Sequence, residues 1–157
     1  MTDTDFMKIV IKKGQNRLDR GESPILSIIV KDDKIISEGH STVGNFEISG
    51  HNDINAINSA CKKLKAYSLD GCTMYSTVEP CSMCLACAAW AGLTKIVFGS
   101  FQEDIPNNSY EITDYHAANH AQKLRLPNNK KIDIIGGVLQ QECTSLMKDV
   151  KNWVLSE

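Results

Sequence analysis

Apolar and polar positions along the chain alternate between helical and strand periods. Across residues 4–20, Phe6, Ile9, Val10 and Leu18 recur among lysines and arginines with the spacing of an amphipathic helix, which Gly21 and Pro24 are expected to stop. Residues 25–30 and 34–36 are β-branched runs flanking Lys31-Asp32-Asp33, a pattern that predicts two antiparallel strands joined by a tight turn. A polar loop follows over residues 39–50. From about His51 the spacing Ile54, Ile57, Ala60, Cys61, Leu64 turns helical and places His51 at a helix start. After Asp70-Gly71, residues 72–78 predict a buried strand, and Pro80 suits entry to an Ala-rich helix ending at Trp90 with Cys81 and Cys84 on its first turn. Short apolar runs at residues 95–99 and 132–135 predict two more strands, and residues 137–153 a last helix. The polar, Asn-rich stretch 101–131 carries the weakest pattern, with one helix expected over residues 110–124. Strands alternating with helices imply α/β layering, and no linker or repeat divides the chain, so a single domain over residues 1–157 is expected.

Composition changes this picture little but removes alternatives. With 42% hydrophobic and 23% charged residues the chain is globular, not disordered or fibrous, and 157 residues suffice for a core without disulfides. A formal charge of −2 supplies no general attraction for polyanions and argues against a polynucleotide partner. No apolar run reaches transmembrane length, and the apolar run near the N-terminus is too short and interrupted for an export signal. A cytoplasmic location is therefore expected, with the six cysteines as thiols or metal ligands.

The strongest chemical signal is Glu79-Pro80-Cys81-Ser82-Met83-Cys84, because two thiols three residues apart on one helical turn can face a single metal ion. His51, at the start of an earlier helix on the same sheet, is the natural nitrogen donor among four histidines. Three protein ligands leave a fourth zinc position for water, whose pKa then falls to about 7, an arrangement for catalysis. Asp53, two residues after His51, is the candidate acid/base for attack on an aromatic amidine carbon. The bland alternatives are a core histidine with buried thiols, and an acidic residue favoured by the helix dipole. Cys87 extends the pair to CxxCxxC, yet no fourth thiolate completes an iron–sulfur site, so it is read as packing. Cys61, Cys72 and Cys143 are read as core residues, and His116 with His120 as surface residues. Trp90 fits either a base pocket or the core.

His51-Asn52-Asp53 followed by Pro80-Cys81-Ser82-Met83-Cys84 resembles the HxE…PCxxC signature of the cytidine/deoxycytidylate deaminase superfamily. The stretch from Ser76 through Trp90 looks like the second-motif helix of bacterial guanine and nucleoside deaminases, and Gly136-Gly137-Val138-Leu139 through Cys143 like the final helix of tRNA adenosine deaminases. The resemblance spans about residues 6–153. It implies a three-layer α/β/α sandwich around a five-stranded mixed sheet, one zinc per chain, a homodimer, and a small nucleobase or nucleoside substrate, with guanine or a related aminopurine as first expectation. Deamination of adenosine in tRNA is the enzymatic rival, and a zinc-stabilised binding protein with little turnover is the rival from another class.

Two positions depart from the pattern. Asp53 stands where glutamate is usual and is one methylene shorter, so a backbone adjustment restores its reach, a water bridges the gap, or the site is largely inactive; retained activity is the expectation favoured here. Gly39-His40-Ser41 replaces a Gly-x-Asn whose amide touches substrate in relatives, which leaves the substrate contact unassigned. Asn45 of the same loop is a polar candidate, and Glu111 and Asp114, on the expected helix after the long loop, are carboxylates that the resemblance to guanine deaminases would set against a purine; none is assigned a role.

Overall fold

A computed structural model describes residues 1–105, 115–127 and 129–148. Five strands form one mixed sheet in the order β2-β1-β3-β4-β5. These are β1 (Leu26–Lys31), β2 (Lys34–His40), β3 (Thr73–Val78), β4 (Lys95–Ser100) and β5 (Asp133–Ile135). The helices are α1 (Asp3–Leu18), α2 (Asn52–Leu64), α3 (Ser82–Trp90), α4 (Ala117–Ala121) and α5 (Gln140–Met147). β1 runs antiparallel to β2 and β3, whereas β3, β4 and β5 are parallel to one another. The expected three-layer sandwich is what the chain builds.

Period-two alternation assigns the two faces of the sheet. Leu26, Ile28 and Val30 of β1, with Tyr75 and Val97, pack against Phe6, Met7 and Val10 of α1 and Cys143 of α5. The intervening Ile29, with Met74 and Ile96, packs against Ala56, Ile57 and Ala60 of α2, Leu85 and Ala88 of α3, and Ala117 and Ala121 of α4. Ser27 and Ser76 fall on this second face, directly paired across β1 and β3 and fully buried.

The β1–β2 turn forms with Asp32 and Asp33 both left-handed, at φ 48° and 57°, the geometry that suits the twist of a two-residue hairpin. β2 runs on to His40, past the expected loop start at Gly39. The reason is a close approach: a Cβ on Gly39 would lie 2.2 Å from the Asn52 carbonyl oxygen and 2.3 Å from the Ala56 nitrogen, so only glycine lets α2 settle onto this strand. The final helix starts at Gln140 instead of residue 137, because Gly137 and Leu139 adopt left-handed φ values of 78° and 55°. Of the helix expected over residues 110–124, the part at 110–114 lies outside the described residues, as does the expected end of the last helix beyond residue 148; within 115–124 only Ala117–Ala121 is helical, with His116 extended before it.

Candidate active site

The parallel pair β3–β4 directs its carboxyl ends to the edge where α2 and α3 begin, the usual place for a ligand crevice in an open α/β sheet. His51 is the N-cap of α2 and Cys81 the N-cap of α3; both are extended, at φ −69° with ψ 150° and 171°, and neither side chain caps its helix. Both side chains instead point across the gap between the two helix starts. Cys84, one turn into α3 and buried, completes the group.

The His51 Nδ1 lies 3.5 Å from Cys81 Sγ and 3.6 Å from Cys84 Sγ, and the two sulfurs are 3.5 Å apart. Zinc bonds of about 2.3 Å to sulfur and about 2.0 Å to nitrogen, at tetrahedral angles, separate the ligand atoms by about 3.5–3.8 Å. The triangle therefore fits one tetrahedral ion with a position to spare, and it is the only such group of three or more potential ligands among the described residues. The Cys81 thiol is pulled well below the usual range, chiefly by its hydrogen bond with Cys84 and, against the opposing effect of burial, by His51 and the Cys84 amide. Cys84 is pushed up by its hydrogen bond with Cys81 and by burial. The pair thus gives up one proton readily and holds the other, and a cation between the sulfurs is what would release the second.

Asp53 is 2% exposed and reaches the same gap. Burial raises its carboxyl pKa to about 6; the Ser27 hydrogen bond opposes this and the charge on Cys81 adds to it. Ser27 Oγ donates to Asp53 Oδ1. Asn52 Nδ2 donates to the same oxygen at 2.9 Å and to Ser27 Oγ at 2.7 Å. The shortened carboxylate therefore does not hang loose: Ser27 and Asn52 hold one of its oxygens, and Asn52 is in turn tied to Ser76.

Glu79 is the second buried carboxylate. Its oxygens accept from the backbone amides of Gln102 (3.2 Å) and Ala117 (2.7 Å), while Tyr115 Oη donates to the Pro80 carbonyl at 2.8 Å. The turn that carries Cys81 is in this way tied to both the end of β4 and the start of α4. Ile25, Val78 and Ile105 wall a cleft of about 110 Å³ in front of these groups, with Asn52, Asp53 and Gln102 as polar lining.

The structure thus brings together all four residues singled out from sequence, and Ser27, Asn52, Ser76, Glu79 and Gln102 are the neighbours that pattern alone did not flag. Ser41 and Asn45 are exposed and do not line the cleft; Glu111 and Asp114 lie outside the described residues. Trp90 is 81% exposed and belongs neither to the core nor to the cleft. Cys72 and Cys143 are buried in the core, with Cys61 and Cys87 packed at its edge.

The profile of the MafB19-like deaminase family matches residues 1–142. The chain belongs to that family, a branch of the cytidine deaminase superfamily. It is 32% identical over 146 residues to a tRNA-specific adenosine deaminase of Bacillus subtilis, covering 92% of this chain and 86% of the relative. It is 36% identical over 113 residues to a guanine deaminase of the same organism, covering 71% and 72%. The fold matches that of a guanine deaminase from Nitrosomonas europaea at a TM-score of 0.72, with 19% identity over 91% of this chain and 81% of that one. Relatives that act on tRNA by name stand against excluding a polynucleotide on net charge alone. No helix among the described residues is long and apolar enough to cross a membrane.

Proposed function

We propose that this deaminase is a zinc hydrolase that removes the exocyclic amine of a free nucleobase or nucleoside, with guanine or a related aminopurine as the preferred class. The observation that carries the proposal is the triangle of His51 Nδ1, Cys81 Sγ and Cys84 Sγ, matched in its edges to tetrahedral zinc, with the buried Asp53 carboxyl beside it. Zinc held there would supply Lewis acidity and make water nucleophilic at neutral pH.

The residues of the chain do the rest. Asp53 takes a proton from the attacking water and passes it to a ring nitrogen as oxygen bonds to the amidine carbon. It then carries the second proton to the departing amine, so that ammonia leaves and the ring keeps a carbonyl. A carboxyl with a pKa near 6 suits both directions of transfer near neutral pH. Ile25, Val78 and Ile105 shield the ring from water. The cleft volume of about 110 Å³ is small against the roughly 300–1,000 Å³ of sites for drug-sized ligands, which favours a single heterocycle. The 36% identity to a guanine deaminase supports the aminopurine.

A second reading, deamination of adenosine in tRNA, is favoured by the similarity to the tRNA-specific relative and by a concave surface where Lys123, Arg125, Lys130 and Lys131 meet. Phosphate contacts of that kind would make binding fall steeply with salt. The deciding experiment is ammonia release by zinc-loaded protein from guanine, cytosine, adenine, their nucleosides and a tRNA transcript. Release from a free base or nucleoside supports the first reading, and salt-sensitive release from tRNA alone replaces it with the second. Silence on all, with one zinc per chain, leaves a zinc-stabilised binding protein and overturns the enzyme.

A further inference from the structure

Asn52 stands between a metal ligand and the proton carrier, at a position that the HxE pattern leaves open. It is 7% exposed and lines the cleft. Its Nδ2 faces inward, toward Ser27 Oγ at 2.7 Å, Asp53 Oδ1 at 2.9 Å and Ser76 Oγ at 3.4 Å. These contacts settle which way the amide points. An amide nitrogen can only donate and an ionised carboxylate can only accept, so the flipped amide would set two oxygens against each other.

The amide oxygen is left for the other side. Asn52 Oδ1 accepts no hydrogen bond from the described residues. Since no buried side-chain oxygen or nitrogen among them lacks a partner, Oδ1 lies at the cleft surface. It is a hydrogen-bond acceptor locked in orientation by three groups of the sheet and helix, next to the carboxyl that moves protons. The loop that carries an amide for substrate in relatives offers no substitute here: Ser41 is exposed, and its Oγ accepts from the Val43 amide at 3.4 Å.

We propose that Asn52 is the substrate-orienting residue of this site, its Oδ1 accepting a hydrogen bond from an N–H of the heterocycle beside the carbon that loses its amine. The inference rests on the deaminase reading and makes it narrower. The ring selected is one that presents an N–H donor at that edge, as the N1–H of guanine does; a ring with a bare nitrogen there would turn a lone pair toward Oδ1. A rigid acceptor gives most of its benefit in orientation, because the ordering of Asn52 is already complete before substrate enters. A missing partner for a buried polar group costs about 1–3 kcal/mol, which is about 5- to 150-fold in affinity.

The test uses zinc-loaded protein and two ligands that cannot be deaminated, xanthine, which is the product expected from guanine, and 1-methylxanthine, in which a methyl replaces the N–H. Affinities are measured by calorimetry for the natural chain and for Asn52→Ala and Asn52→Ser, the latter keeping a donor for the buried network while withdrawing the carbonyl. Zinc content and thermal midpoint identify folded variants. The natural chain is expected to prefer xanthine by about 10- to 100-fold. Both variants are expected to lose that factor for xanthine and to bind the two ligands equally, and the KM for guanine should rise with them. A preference that survives both substitutions overturns the role of Asn52 while leaving the deaminase intact. Failure of the natural chain to bind either purine overturns it together with the aminopurine reading, whereas ammonia release from guanine with unchanged KM in the variants overturns Asn52 alone.

Discussion

Replacing Asp53 with the glutamate usual at this position tests whether the site is built around the shorter carboxylate. The side chain is 2% exposed, one of its oxygens is held by both Ser27 and Asn52, and Ser76 lies under the same network. In Asp53→Glu the extra methylene carries the carboxyl away from these partners, toward the cleft, or pushes them apart. Overpacking of this kind costs about 1–3 kcal/mol of stability. Displacing the carboxyl by about 1 Å from its working position costs about 100-fold in rate. The expected outcome is a stably folded, zinc-binding variant with a lower thermal midpoint and a kcat for ammonia release down about 10- to 100-fold. The assay is coupled detection of ammonia at saturating substrate, with melting followed in parallel. A variant faster than the natural chain, or active where the natural chain is silent, would refute the reasoning: Asp53 would then be a relic of a longer side chain and not part of a retuned site.

Gly39→Ala is expected to destabilise the protein by about 2 kcal/mol or more, since its Cβ would lie 2.2 Å from the Asn52 carbonyl oxygen and must lift α2 from β2; chemical denaturation measures it, and an unchanged midpoint would contradict the packing. Glu79→Gln is expected to cost about 1–3 kcal/mol and to raise KM more than it lowers zinc affinity, because an amide can keep only one of the two bonds from the Gln102 and Ala117 amides; equal losses in both would be evidence against the clamp. Asp3 gives a pH signature: partial burial pushes its pKa up, but hydrogen bonds from Lys95 and Tyr75 and the Lys95 charge outweigh it, so the folded pKa lies below the unfolded value of about 3.9. Its contribution is therefore complete above about pH 4 and is lost as pH falls through the folded pKa, so Asp3→Asn should lower the midpoint at pH 7 and cease to matter in strong acid; a difference that grows on acidification would reverse the sign.

The three candidate metal ligands were legible because their spacing is local and chemical. Two thiols on one turn after a proline, and a histidine where helical periodicity begins, carry their geometry in the order of residues. The layer order followed for a similar reason, since period-two and helical runs alternate along nearly the whole chain. What escaped was non-local. Ser27 lies inside Leu26–Lys31 and Ser76 inside Thr73–Val78, where a small polar residue in a buried run has no evident partner until the two strands pair and set them side by side beneath α2. Glu79 resembled part of a motif, and its work became visible only when β4 and the chain before α4 came within reach of its oxygens. Boundaries moved where the backbone took left-handed turns, at Gly137 and Leu139, or where a glycine let two elements touch, at Gly39.

The most direct test of the central assignment is metal analysis of the purified chain after dialysis against trace zinc, beside Cys84→Ala and His51→Ala. One zinc per chain in the natural protein, with loss in both variants while the fold persists by circular dichroism, is the expected result. A folded natural chain that retains no metal, or variants that hold zinc as tightly as it does, would contradict it.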